Sequence, residues 1–293
     1  MKFVLFGKNG QVGWELQRML PFLGQVVALD YDDLDLADLK AVQTRLDELK
    51  PDLIVNASAY TAVDRAETER DLAMKVNEGA PGVMAEAARR SGGMLVHYST
   101  DYVFDGEKGS PYVETDIPNP LNVYGESKLA GEVAIQQAAE AYLILRTSWV
   151  YSLRLQSGFV KKVLSWARQN ETLRVVQDQT GCPTWARMLA ETTALLIAKS
   201  GDRPVDYFKL NHGIYHVAGK GSASRYEWAQ AILANDSQRN EHRISRLEPA
   251  QSAEFPAAAA RPEYSVLDCT QFENTFGLCI PNWKESLVLA MGE

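Results

Sequence analysis

The sequence predicts an α/β fold, a doubly wound parallel sheet followed by a smaller mixed α/β lobe. Three observations carry this expectation. A short apolar run enters a glycine-rich turn that opens an amphipathic stretch, strands and helices then alternate as far as Leu145, and beyond Tyr151 the regular alternation breaks up. Such alternation indicates parallel strands joined by right-handed helical crossovers, because a right-twisted strand feeding a right-handed helix packs back onto its sheet in one hand only.

Residues 2–6 read as a short buried strand, and the amphipathic stretch after the turn carries Val12, Leu16, Met19 and Leu20 on a helical period. A strand over 26–30 ends in Asp30; then come a helix over about 38–49, a strand at Leu53-Ile54-Val55 and a helix over about 70–91. The next strand, Leu95-Val96, runs into Tyr98-Ser99-Thr100. A loop rich in Gly, Pro and acidic residues (105–120) precedes a long helix from about 121 to 140, which leads into a strand at Leu143-Ile144-Leu145. The remainder is more varied: a helix near 158–169, a strand at 173–176, a turn-rich 178–184, a helix near 185–199 and a strand at 214–217. A helix at about 224–234, an extended piece at 243–247, a Pro/Ala-rich stretch at 249–262 and a closing helix near 283–291 complete the chain. The expected division is a first domain over 1–150 and a smaller lobe over 151–293, with part of 184–220 returning to the main sheet.

With 293 residues, 46% hydrophobic and 23% charged, the chain has the makeup of a soluble globular protein. The net charge of −8, with no window that concentrates Lys and Arg among aromatics, argues against nucleic acid as a partner. Three cysteines without C-x-x-C spacing and four histidines, of which only His212 and His216 stand four apart, support neither a disulfide framework nor a metal site. Phe3-Val4-Leu5-Phe6 is too short for a signal-peptide core and no apolar stretch approaches a membrane span, so no membrane association is expected and a reducing cytoplasm is the default.

Three constellations carry chemistry. The first is Gly7-Lys8-Asn9-Gly10-Gln11-Val12-Gly13, between a strand and a helix. Glycines there let the backbone approach a pyrophosphate while the helix N-terminus supplies N–H donors, although a plain tight turn has the same letters. Asp30 ends the second strand at about the distance where a carboxylate accepts hydrogen bonds from an adenosine ribose, which favours a dinucleotide (Rossmann) domain; a turn or capping role is the alternative. The second is Tyr124-Gly125-Glu126-Ser127-Lys128 on the long helix, where a phenol and an amine four apart share one face. A phenol is a poor acid or base at neutral pH unless a nearby cation favours its phenolate. The third is Ser99-Thr100-Asp101 at the C-terminal end of the fourth strand, where ligands of open α/β sheets bind.

Together with Asn56–Asp64, Val76-Asn77, Arg146–Tyr151, Asp178–Thr184 and Arg261-Pro262, these runs resemble the extended short-chain dehydrogenases/reductases, and within them the dTDP-4-dehydrorhamnose reductases, in order over nearly the whole chain. The resemblance implies reduction by NADPH or NADH of the C4 keto group of a dTDP-4-keto-6-deoxyhexose, giving dTDP-L-rhamnose. It makes Tyr124 the proton donor, Lys128 the residue that lowers its pKa and holds the nicotinamide ribose, and Thr100 the group that tunes the transfer. Gly7, Gly10, Gln11, Val12 and Asp30 then bind the adenosine and pyrophosphate half, with Asp35 and Leu36 near the adenine. Ala57, Ser58, Ala59, Tyr60 and Tyr98 line the rest of the cofactor groove. Thr100, Asp101 and Trp149 surround the sugar and Arg261 meets the diphosphate; no metal is implied, and a homodimer is compatible with the resemblance. Ser58 is a mild departure from the family's N-A-A-A run.

Two other readings fit the same fold. A nucleotide-sugar dehydratase needs an extra acid where this chain has Tyr102, and an epimerase shares Tyr124 and Lys128 but is disfavoured by the match at 178–184 and 261–262. A non-catalytic module resembling the regulatory subunit of methionine adenosyltransferase is the third, against which the intact glycine loop, Thr100, Tyr124 and Lys128 speak.

Overall fold

The computed structural model describes residues 1–154 and 158–292. Its first half runs β1 (Lys2–Phe6), α1 (Gln11–Met19), β2 (Gln25–Leu29), α2 (Leu39–Leu49), β3 (Leu53–Asn56), α3 (Val63–Ala66), α4 (Arg70–Met74), α5 (Ala80–Ser91), β4 (Met94–Thr100), α6 (Val123–Ala138) and β5 (Tyr142–Thr147). The second half runs β6 (Val150–Tyr151), α7 (Phe159–Gln169), β7 (Thr172–Val176), β8 (Thr180–Gly181), β9 (Thr184–Trp185), α8 (Ala186–Lys199), α9 (Pro204–Leu210) and β10 (Gly213–His216). It closes with β11 (Ala223–Ser224), α10 (Arg225–Asn235), β12 (Arg246–Ala250), α11 (Thr270–Phe276) and α12 (Trp283–Met291).

Six strands form one parallel sheet in the order β10-β5-β4-β3-β1-β2. The order reverses at β1, between β2 and β3, which makes the sheet doubly wound and opens a crevice at the strand ends. Side chains alternate across a strand, and that alternation sorts the apolar residues into two cores. Phe3, Leu5, Leu53, Val55, Val96, Leu143 and Leu145 face one side, packed with Leu16 of α1 and Met188 and Leu189 of α8. Val4, Phe6, Ile54, Leu95 and Ile144 face the other, packed with Val42 and Leu46 of α2 and Met84 and Ala88 of α5. Towards the C-terminal ends of β3, β4 and β5 this second face turns polar, with Asn56, His97, Ser99 and Arg146 all buried and the last three bonded to side chains of α6. The parallel pair β7–β12 lies outside the main sheet, with α10 packed on it.

The structure differs from the sequence expectation in identifiable places. The single helix expected over 70–91 is instead α4, a π-turn at Lys75–Gly79, and α5. Pro81 has no N–H to donate to the Asn77 carbonyl four residues back, so the α-helical ladder is interrupted there. Helices α9 and α11 lie where no element was expected, and the strand expected near 243–247 is β12, three residues later. No helix among the described residues is long and apolar enough to cross a membrane.

Candidate active site

The strand-to-helix turn after β1 shapes one end of the site. Gly7 has φ +85°, and a Cβ there would lie 2.8 Å from the Ala57 carbonyl oxygen, so a left-handed residue without a side chain is needed where the two loops meet. The α1 N-terminus has no side-chain cap and no acidic residue in its first turn, which leaves N–H donors and the positive end of the helix dipole for an anion. Asp30 braces the turn from β2, one carboxylate oxygen accepting the Asn9 N–H at 2.7 Å and the other the Tyr31 N–H at 2.8 Å. Gln11 donates to the Val150 carbonyl at 3.0 Å, while its own amide oxygen is buried without a partner. Lys8 pairs with Asp33 at 2.6 Å, and that hydrogen bond holds the Asp33 carboxyl below its ordinary range.

From this turn a groove of about 610 Å³ extends along the strand ends. Gly7, Gly10, Gln11, Val12, Asp30, Ala57, Ser58 and Ala59 line one end; Tyr98, Thr100, Asp101, Tyr124, Lys128 and Trp149 line the other. The residues expected from sequence to bind opposite parts of a ligand therefore share one cavity. Three of the expected cofactor-binding residues do not reach its wall. Asp35 accepts the Ala37 N–H, Leu36 is buried in the core beneath α2, and the Tyr60 phenol donates to Glu69 at 2.6 Å.

Asn122 caps α6, accepting the Gly125 N–H at 2.8 Å, and the helix so fixed presents Tyr124 and Lys128 to the groove one turn apart. Burial pushes the Tyr124 phenol up from its ordinary value; a hydrogen bond with Thr100 works the other way, and Asp101 and Tyr102 add to the rise. Lys128 is fully buried, its amine donating to the Tyr98 carbonyl at 2.7 Å and lying 2.9 Å from His97 Nε2. Burial brings its pKa down to about 7, with Glu132 opposing the fall. Asn77, in the π-turn, ties the groove wall to the helix: its amide bridges the Tyr60 backbone in both directions and donates to Ser127 Oγ at 2.9 Å. The close approach needs Gly131, where a Cβ would stand 2.0 Å from the Asn77 carbonyl oxygen. Beneath, Glu132 makes a bidentate pair with Arg146 at 2.9 and 2.6 Å and accepts from Ser99.

On the substrate side, Asp101 is buried under three hydroxyls, accepting from Ser265 at 2.6 Å, Ser148 at 2.8 Å and Thr100 at 3.1 Å. Burial raises its carboxyl and these donors offset the rise. Trp149 sits at φ +44°, an uncommon conformation for a bulky residue, with its indole stacked on Trp228 and covered by the Arg225 guanidinium 3.5 Å away. A second cavity of about 530 Å³ adjoins the groove and shares Phe159 and Arg225 with it. Arg261 lines this second cavity, not the first, and is held by Asp64 at 2.8 Å. Arg225 makes no ion pair with a carboxylate among the described residues.

The family model described as RmlD substrate binding domain matches residues 1–293. A dTDP-4-dehydrorhamnose reductase of Burkholderia thailandensis is 42% identical over 99% of this chain and 98% of that protein. The chain belongs to the dTDP-4-dehydrorhamnose reductase family. Solved structures agree: a dTDP-4-dehydrorhamnose reductase of Clostridium acetobutylicum superposes with TM-score 0.90 at 36% identity, covering 100% of this chain and 99% of that one. Another, from Bacillus anthracis in complex with NADP, gives 0.87 at 36% identity over 98% and 96%. In this member of the reductase family, Thr147, Phe159, Arg225 and Trp228 also line the groove although sequence reasoning missed them, and so do Ser99 and Tyr102, to which it assigned no binding role. For Arg225 a partial signal exists, since Ser224-Arg225-Tyr226-Glu227 contains a capping box that fixes a helix start, and Arg225 is the first residue of that helix.

Proposed function

We propose that this chain reduces the C4 keto group of dTDP-4-dehydro-L-rhamnose to dTDP-L-rhamnose with NADPH or NADH. The observation that carries the proposal is the single groove with the glycine turn at one end and Thr100, Tyr124 and Lys128 at the other. The glycine turn and the uncapped α1 terminus suit a pyrophosphate, and Asp30 is at the groove wall for the adenosine ribose. When bound, the reduced nicotinamide supplies the hydride. Tyr124 gives its phenolic proton to the C4 oxygen; burial favours the neutral phenol, the form that a proton donor requires. Thr100 orients that phenol and the substrate carbonyl, and Lys128 reaches the nicotinamide ribose. Asp101 and Trp149 bound the sugar, Asp101 acting largely by fixing the Thr100 hydroxyl.

The second cavity suits the nucleotide end of the substrate, and its shared wall suits the diphosphate. Arg225 fits that role alongside Arg261, because Arg261 is already engaged by Asp64. A dehydratase is less compatible, since burial first, and Asp101 second, push the Tyr102 phenol up where that reaction needs an acid near neutral pH. The test is NAD(P)H oxidation followed spectrophotometrically with dTDP-4-keto-L-rhamnose and, in parallel, its unepimerised D-sugar precursor. Consumption with the L-sugar is the expected result; none with either sugar removes the proposal.

A further inference from the structure

The strongest unassigned feature is a buried chain of nitrogen atoms behind Lys128. His97 on β4 is wholly buried, with Nε2 2.9 Å from Lys128 Nζ and Nδ1 3.0 Å from Asn56 Nδ2. Asn56 stands beside it in the β3–β4 register, and the amide oxygen of Asn56 accepts the Ser58 N–H at 3.1 Å. That backbone contact fixes which way the amide points, because its NH2 group facing the Ser58 N–H would set donor against donor. The NH2 group therefore faces His97, and Nδ1 must accept. A neutral imidazole carries one proton, so here it sits on Nε2, aimed at Lys128. An ammonium has donors only and cannot accept from Nε2–H; a neutral amine can.

We infer that His97 is a positioning residue that holds Lys128 as a neutral amine, drawn back from the groove, until cofactor binding brings a proton to it. Taking up that proton fills the lone pair of Nζ and so breaks the bond to Nε2–H. The ammonium then turns towards the ribose hydroxyls while keeping the Tyr98 carbonyl. The proton comes from solvent, and His97 keeps its own. Burial, which disfavours a charged Lys128, agrees with this assignment. The other polar groups around the pair are accounted for. Glu132 and Tyr124 flank Lys128 on α6, Glu132 is neutralised by Arg146 of β5 and bonded by Ser99 of β4, and Asn56 and Asn77 are neutral. The inference rests on the reading of Lys128 as the residue that meets the nicotinamide ribose.

Two measurements on the full-length chain test it. Long-range ¹H–¹⁵N spectra of the ¹⁵N-histidine-labelled protein without cofactor at pH 8, with the His97 signals assigned through His97→Gln, are expected to show the Nε2–H tautomer. An Nδ1–H tautomer overturns the inference. Calorimetric titration of NADH and NADPH at pH 8, in two buffers of different ionisation enthalpy, is expected to show uptake of about one proton per cofactor. Asn56→Asp offers a second acceptor to Nδ1–H, turns the Nε2 lone pair to Lys128 and should reduce the uptake to near zero. Equal uptake in the variant overturns the role of His97. An Nε2–H tautomer with no uptake in the wild type overturns the binding step, and with it the placement of Lys128 at the ribose.

Discussion

The phenol of Tyr124 is the atom group on which the proposed chemistry turns, and Tyr124→Phe removes its proton while keeping the ring. General acid catalysis of this kind contributes about 10²–10⁴ in rate, so kcat should fall by that order with the cofactor Kd nearly unchanged; more than half of wild-type kcat would take Tyr124 out of the mechanism. At the diphosphate end, the ordering of two arginines is expected. Arg225→Ala should raise substrate KM by roughly tenfold to a hundredfold, the scale of one charge-assisted contact, and more than Arg261→Ala does. Arg261 already satisfies Asp64, whereas Arg225 covers the Trp149 indole without a carboxylate partner among the described residues; equal KM effects would refute the ordering. Lys128 gives a prediction about stability. Burial lowers its folded pKa from 10.5 to about 7, so the folded state binds fewer protons than the unfolded state between those values. The resulting penalty is absent above the unfolded pKa, grows as pH falls, and levels off below about 7. Lys128→Met should therefore gain stability over wild type that is larger at pH 7 than at pH 10, by roughly a few kcal/mol in denaturant titrations. Tyr124 and Lys128 were legible in the sequence because a helix fixes the geometry of residues four apart. His97 and Arg225 were not, since their positions depend on register between strands and on a helix that starts a hundred residues later.

Among the elements, the π-turn between α4 and α5 is where a small change should matter most. It displaces Asn77 so that one side chain holds both the Tyr60 backbone and Ser127 of α6, and Gly131 is the residue that lets α6 come that near. Gly131→Ala places a methyl group against a backbone oxygen, which must move. Overpacking of this kind costs about 1–3 kcal/mol, and a lowered Tm with a weakened cofactor Kd is the expected pair of effects. An unchanged Tm would show that the two segments yield without cost. The sequence gives this stretch as one helix because its helical period continues through the bulge; Pro81 marks a boundary but not the kind of turn beside it. Strands β1, β3, β4 and β5 were readable as apolar runs, since both of their faces are buried. Helices α9 and α11, of seven residues each, are too short for a periodic pattern to stand out.

At the level of the whole molecule, the two apolar cores on opposite faces of one parallel sheet hold the strand ends in register, and the groove is where those ends diverge. The doubly wound class was legible for that reason: alternation of elements specifies it without any knowledge of individual contacts. The second cavity was not, because its wall gathers residues from 159 to 263 that no local pattern links. The sheet has a further consequence, for the order of events during synthesis. Its outermost strand on one side, β10, follows β5 after 65 intervening residues, so until it emerges β5 is a bare edge of unpaired backbone made of Tyr142–Thr147. A nascent chain released at residue 150 would carry nearly every group of the proposed reaction centre and still offer that edge to a second molecule. Such a fragment is expected to sediment as aggregate, whereas one extended past His216 can complete the sheet and should show less of it; equal solubility of the two would mean that β5 is protected in some other way.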